Sequence, residues 1–424
     1  MSYKIKTLNN GMRIVTVPLP QSETVTVLTL VNTGSDYEYE NEAGISHFLE
    51  HMCFKGTTKR PTAHSISLEL DSLGAEVNAF TGNEITGYYA KGDSRHWKKF
   101  IDVIADVYLN STFPEEEIRK EKGVICEEIN MYEDMPNYVV QERMESFMYG
   151  DNPVGKSVIG NKKSVNSFTR KDFLNYHKRR YSPYNTVIVV AGPVKDIEVV
   201  REVEKHFKNF KGKKVSKLKP IKIIKNKKSI LTIEKNTDQV HTIIGFNSYN
   251  RSNKKVKDTQ LITGLLGSGM SSRLFQLLRE ELGVCYYVSA GQSLRTHSGR
   301  VLISSGVTKE KVDMVIKEIL KECKKIITDI ITEEEVRKVK NYLIGMSKMN
   351  LESSDQWASF YGKQVLFDKE IKTIDQKIKD IESVTIKQIK DTAKDLFSYD
   401  NLYIGSIGPK GHTMLSNKDI KDLL

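Results

Sequence analysis

Glu115-Glu116-Glu117-Ile118-Arg119-Lys120 returns late in the chain as Glu333-Glu334-Glu335-Val336-Arg337-Lys338. A repeat of that length, at that separation, marks duplication of a domain-sized unit rather than a short solenoid period. The surrounding order agrees. The first half opens on residues 13–17 (RIVTV) and 24–31 (TVTVLTLV), rich in β-branched side chains, and the second on 230–233 (ILTI) and 241–246 (HTIIGF). Each half then runs through a helical stretch, a glycine-punctuated strand pair and two longer helices. A late strand closes each, at 186–192 in the first and 401–408 in the second. Strands followed by helices predict an α+β fold: two homologous αβ domains, each a mostly antiparallel sheet packed with helices.

Between the halves, residues 211–228 carry nine lysines and no acid. No aromatic residue interrupts that run, so it offers bases no stacking platform and reads as a solvated linker. The predicted division is a first domain at 1–210, the linker at 211–228 and a second domain at 229–424. Much of the net charge of +11 gathers in the linker, so no nucleic-acid partner is expected. With 39% hydrophobic and 28% charged residues, the 424-residue chain reads as a globular protein, neither disordered nor collagenous. It has no apolar run of ~18–20 residues and no apolar leader, so no membrane association is expected. Cys53, Cys126, Cys285 and Cys323 lie far apart without a CxxC pair. That spacing fits neither a disulfide scaffold nor a thiolate metal site, and it points to the reducing cytoplasm.

The chemistry concentrates in His47-Phe48-Leu49-Glu50-His51. Ile45, Phe48, Leu49 and Met52 fall at i, i+3, i+4 and i+7, one apolar helix face. His47, Glu50 and His51 follow the same spacing two residues on, so they project about 200° away. Asn41 is the expected N-cap of this helix. Imidazoles at i and i+4 stand about 5–6 Å apart at Cβ, close enough to share one metal ion. Two neutral imidazoles suit zinc, whose catalytic sites keep a position open for water. A neighbouring carboxylate must then carry the proton to the leaving amine, and Glu50 is placed for it. The order H-x-x-E-H is the reverse of the commoner H-E-x-x-H.

A third ligand is needed. Residues 115–132 read as a long helix starting after Pro114, with Glu121 and Glu128 two turns apart on one face. Val124 and Ile125 between them can bury that side. The spacing leaves Glu121, Glu127 and Glu128 all open as the ligand.

His47-Phe-Leu-Glu50-His51-Met-x-Phe-Lys-Gly56-Thr, followed by Glu121-x6-Glu128, resembles the pitrilysin/insulinase family of zinc metallopeptidases. The likeness is strongest to its mitochondrial processing peptidase subfamily and that subfamily's bacterial relatives. The resemblance implies Glu128 as third ligand, Glu121 as the acid supporting the site, and one Zn2+ per chain. It implies that Asn78, Ala79, Phe80 and Thr81 lie on an edge strand that pairs with the substrate backbone. Asn152 stands where relatives often have histidine in a His-Pro-x-Gly turn.

The second half resembles the family's inactive repeat. The displacement between the two Glu-Glu-Glu runs carries Glu121 onto Val339 and Glu128 onto Met346, and no H-x-x-E-H occurs there. Arg279 and Tyr286 match the family's substrate-contacting pair, a cation and a phenol suited to a developing oxyanion. Long family members close two double domains around a peptide, and this chain resembles one half-shell. A homodimer is therefore implied, with Arg279 and Tyr286 acting in trans. The loop 265–270 is much shorter than the glycine-rich loop of the processing peptidase's noncatalytic partner, as in self-sufficient bacterial types. The expected activity is zinc-dependent endopeptidase cleavage of extended peptides or presequence-like segments in a closed chamber. The alternative is a noncatalytic core or scaffold subunit of the same family.

Overall fold

The structure is a computed structural model describing residues 3–150, 152–216, 218, 221, 229–421 and 423. Lys217, Lys219, Lys222, Lys225, Lys227 and Lys228 of the lysine-rich stretch lie outside the described residues.

The first sheet holds six strands: β1 (Lys4–Thr7), β2 (Arg13–Pro18), β3 (Thr24–Val31), β4 (Glu76–Thr81), β5 (Thr86–Asp93) and β6 (Thr186–Gly192). Their order is β1-β2-β6-β3-β5-β4, antiparallel throughout except for the parallel pair β2–β6. The second sheet holds β7 (Ile230–Glu234), β8 (Val240–Ser248), β9 (Cys285–Leu294), β10 (Gly299–Val307) and β11 (Leu402–Gly408), in the order β7-β11-β8-β10-β9. Its one parallel pair is β7–β11. With β1 set aside, each strand of the first sheet has a counterpart at the same position in the second. Duplication is thus written into the topology, and the α+β reading holds.

β6 and β11 are buried along their whole length, which explains their near-continuous apolar sequences. The first five helices are α1 (Ile45–Cys53), α2 (Ala63–Asp71), α3 (Trp97–Asn110), α4 (Glu115–Glu133) and α5 (Pro136–Tyr149). α4 begins directly after Pro114, and Glu115, Glu116 and Glu117 fill its first turn, where the helix dipole favours acids. Its buried stripe is Ile118, Glu121, Ile125 and Ile129. Val124, expected to be buried, falls beside that stripe and is exposed.

The compact units are not contiguous stretches of chain. One gathers Met1–Asn130, Lys156–Lys219 and Met349–Thr373; the other gathers Met131–Gly155, Pro220–Lys348 and Ile374–Leu424. Each half of the sequence therefore lends a helix to the opposite sheet. In the first unit, helix Ser354–Phe367 lies on β3 and β6, where a Cβ at Gly362 would stand 2.7 Å from Leu30 Cδ1 and 2.9 Å from Val189 Cγ2. Ser354 Oγ lies 2.8 Å from Thr26 Oγ1 there. In the second unit, α5 buries Val140, Met144 and Met148 with Ile243, Tyr403 and Ile407 of β8 and β11.

Candidate metal centre

α1 is held at its N-terminus by a residue remote from its own first turn. Its N-cap is Gly44, in the left-handed region at φ 90°, rather than the expected Asn41, which falls in a short 3-10 turn upstream. A Cβ at Gly44 would stand 2.5 Å from the Ile159 carbonyl oxygen, so glycine is needed both for conformation and for space. The buried Glu38 carboxylate supplies the missing cap, accepting the N–H groups of Gly44 and Ser46 at 2.8 Å each. Ser46 Oγ lies 2.6 Å from Tyr176 Oη, which in turn lies 3.0 Å from Thr33 Oγ1. Phe48, on the apolar face, packs edge-on against Phe173 with ring centroids 4.8 Å apart. Buried on one side and capped at one end, α1 presents its second stripe in a fixed direction.

On that stripe the rings of His47 and His51 have centroids 4.6 Å apart. Across from them on α4, Glu128 Oε2 lies 3.6 Å from His47 Nε2 and 3.8 Å from His51 Nε2. All three donor atoms fall within 4.8 Å of one another. These separations exceed hydrogen-bond range, so the donors face a common point rather than pairing with each other. Ligands held about 2.0–2.2 Å from a tetrahedral zinc stand about 3.3–3.5 Å apart, close to what is seen here. The donor set therefore fits a zinc ion. His51 Nδ1 lies 2.9 Å from Glu121 Oε1, and a carboxylate there accepts a hydrogen bond from Nδ1–H and leaves the Nε2 lone pair toward Glu128. Glu50, between the histidines, accepts a hydrogen bond from Thr81 Oγ1 at 2.6 Å, tying α1 to the end of β4.

β4 lies at the edge of its sheet, as the family resemblance implies, and among the described residues it pairs with β5 alone. The Gly82 N–H donates to the Ile85 carbonyl and closes the turn. In the regular antiparallel register that follows, Phe80 and Asn78 face β5 with their backbone groups while Thr81, Ala79 and Val77 turn theirs outward. The Ala79 N–H is met by Asn78 Oδ1 at 2.8 Å. In the second unit, Tyr286 is the second residue of β9 and exposes its ring, and the Arg279 guanidinium, on the π-helical turn Gln276–Glu281, lies 5.9 Å from that ring. The pair expected from the sequence is therefore adjacent in space.

Two family descriptions match the chain: "Insulinase (Peptidase family M16)" over residues 13–162 and "Peptidase M16 inactive domain" over residues 167–343. An uncharacterized zinc protease of Bacillus subtilis, YmxG, is 34% identical over 406 residues, covering 96% of this chain and 98% of its own. The chain belongs to the insulinase family of peptidases. Another relative, an uncharacterized zinc protease of Rickettsia felis, is 36% identical over 405 residues, covering 94% of this chain and 95% of its own. A crystal structure of a protease from Helicobacter pylori shares the fold, with a TM-score of 0.90 at 22% identity over 96% of this chain and 99% of that one.

Within this insulinase-family site, burial gives each titratable group a distinct character. Burial, with the charge of His51 adding to it, holds His47 down at about 3. Burial also pulls on His51, but its hydrogen bond to Glu121 and the charges of Glu50, Glu121 and Glu128 outweigh that pull and raise it. Glu50 is raised by burial against the opposing hydrogen bond from Thr81. Glu121 is opposed by burial yet lowered by its hydrogen bonds from His51 and Lys55. Sequence reasoning missed Glu38 and Lys55. Glu38 leaves no local signal, whereas Lys55 stands four residues after His51, the same spacing that joins the histidines.

His47 has a depressed folded value, so the unfolded chain takes up a proton that the native site refuses. In the metal-free protein, stability contributed by neutral His47 is present above about pH 6.5 and is lost as pH falls toward about 3. Thermal melts of metal-free wild type and His47→Gln between pH 7 and pH 4.5 should show the steeper loss in the wild type. Parallel curves would contradict this burial of a neutral imidazole.

Proposed function

We propose that this chain is a zinc-dependent endopeptidase acting on extended peptides. The observation that carries the reading is the convergence of His47, His51 and Glu128 beside Glu50, on the half of the chain that bears the edge strand. His47, His51 and Glu128 would hold one ion per chain, with Glu121 keeping His51 in the ligating tautomer. Zinc bound there supplies Lewis acidity toward the scissile carbonyl and the attacking water.

The remaining steps fall to the chain's own residues. Substrate backbone adds to β4 through the outward groups of Val77, Ala79 and Thr81, with Asn78 and Phe80 alongside, which selects extended segments over folded ones. Asn78 Oδ1 gives up the Ala79 N–H as the substrate carbonyl arrives. Glu50 takes the proton of the attacking water and passes it to the leaving amine nitrogen, and the Thr81 hydroxyl holds its carboxylate in place. The raised affinity of Glu50 for protons suits a group that accepts one and then releases it.

The domain at 1–210 would carry this chemistry, and the one at 229–424 would supply Arg279 and Tyr286 to the oxyanion of a second copy, in a homodimer enclosing the peptide. A cytoplasmic address accords with four free thiols, three of them buried, and among the described residues no helix is long and apolar enough to cross a membrane. A noncatalytic core subunit is the second reading, favoured by the match of residues 167–343 to an inactive domain.

Glu50→Gln should retain zinc yet cut cleavage of a mixed peptide pool, read by mass spectrometry, by about a hundred- to ten-thousandfold. Zinc binding without cleavage by the wild type would favour the core-subunit reading. Equal cleavage by wild type and variant would remove Glu50 from the mechanism. For the trans arrangement, Arg279→Ala and Glu50→Gln proteins, each inactive alone, should regain about a quarter of wild-type activity after subunit exchange, since half of the dimers then hold one intact site. No recovery in confirmed mixed dimers would contradict it.

A further inference from the structure

We infer that Lys55 is a positioning residue of the metal centre, clamping one oxygen of Glu121 so that the other stays locked on His51. The inference rests on the zinc reading above. Glu121 is almost wholly buried, and its two carboxylate oxygens are divided between two partners: Oε1 lies 2.9 Å from His51 Nδ1, and Oε2 lies 2.6 Å from Lys55 Nζ. Both partners come from one stretch of chain, a helical turn apart, so the carboxylate is gripped from the same side that carries the histidines.

The backbone around Lys55 is fixed from both directions. Before it, the Cys53 carbonyl accepts from Ser111 Oγ at 2.8 Å; after it, the Gly56 carbonyl accepts the Thr112 N–H at 3.0 Å. Gly56 has φ 138°, and a Cβ there would meet the Pro61 carbonyl oxygen at 2.4 Å, so the turn that aims Lys55 inward tolerates no side chain. The Lys55 side chain is largely sheltered from solvent.

Two physical needs are met at once. The terminal torsion of a glutamate is broad and nearly two-fold, so a carboxylate with a single partner can swing and swap its oxygens. Pinning Oε2 removes that freedom and with it the wobble of the His51 ring. A metal-ligating His51 is neutral, which would leave Glu121 a buried charge without a formal counter-charge; Lys55 supplies it. Among the described residues, the cations paired with Glu121 are His51 and Lys55, and of the two only Lys55 keeps its charge when His51 ligates a metal.

The test is zinc affinity, measured by competition with a chromophoric chelator on the full chain. Lys55→Met keeps the aliphatic stem and removes the charge; it should weaken zinc binding about 10- to 100-fold, the range seen when partners of metal ligands are lost. Lys55→Arg restores the charge and should recover most of that loss, which a merely space-filling role would not predict. Wild-type affinity in Lys55→Met, or an arginine variant no better than the methionine one, overturns the inference alone. A wild-type protein that takes up no zinc overturns both the zinc reading and this inference.

Discussion

Three donor atoms that nearly touch without hydrogen-bonding each other must be held there by something other than their mutual attraction. In this chain the holding is done by two helices. α1 sets the spacing of His47 and His51 through its own pitch, and α4 brings Glu128 opposite them and Glu121 one step behind. The Glu128 carboxylate stands 3.6–3.8 Å from the two imidazoles, beyond hydrogen-bond range, so the arrangement is stored chiefly in the packing beneath it. Phe48 against Phe173, Glu38 on the first N–H groups of α1, and the buried isoleucines of α4 provide that packing. A preorganised donor set of this kind spares a metal ion the cost of gathering its own ligands.

Duplication explains what surrounds the pair. Two sheets share one strand order, and each ends in a strand with a free edge, β4 in one and β9 in the other. Only the first copy adds donors: where α4 has Glu121 and Glu128, the repeat has Val339 and Met346. The exchange of α5 and the helix Ser354–Phe367 between units means that neither half of the sequence makes a complete sheet-and-helix layer alone. Fold is thus spent twice, while the chemistry of H-x-x-E-H appears once.

Much of this was legible in the sequence, because it is written in local periods. The two stripes of α1, the alternation of the strands and the long α4 all follow from spacing, while the edge position of β4 came from the family resemblance. What escaped is non-local. Glu38 caps a helix whose N-cap, Gly44, lies six residues later, and nothing in its neighbourhood marks it for burial. The helix exchange joins segments that lie far apart in sequence, Thr26 and Ser354 being 328 residues apart, and a contact of that range leaves no period to read. Val124 was misjudged because it borders the buried stripe of α4 by a single residue. The choice of Glu128 over Glu121 and Glu127 came from the family resemblance; in space Glu121 faces Nδ1 of His51, not the point shared by the two Nε2 atoms.

The central claim is that one zinc ion sits among two imidazoles and one carboxylate. X-ray absorption at the zinc edge of the loaded protein tests it most directly. The account predicts two imidazole nitrogens and carboxylate or water oxygen at about 2.0–2.2 Å, at one zinc per chain, with one oxygen donor altered in Glu128→Gln. Sulfur scatterers near ~2.3 Å, or a spectrum unchanged by Glu128→Gln, would place the metal elsewhere and contradict it.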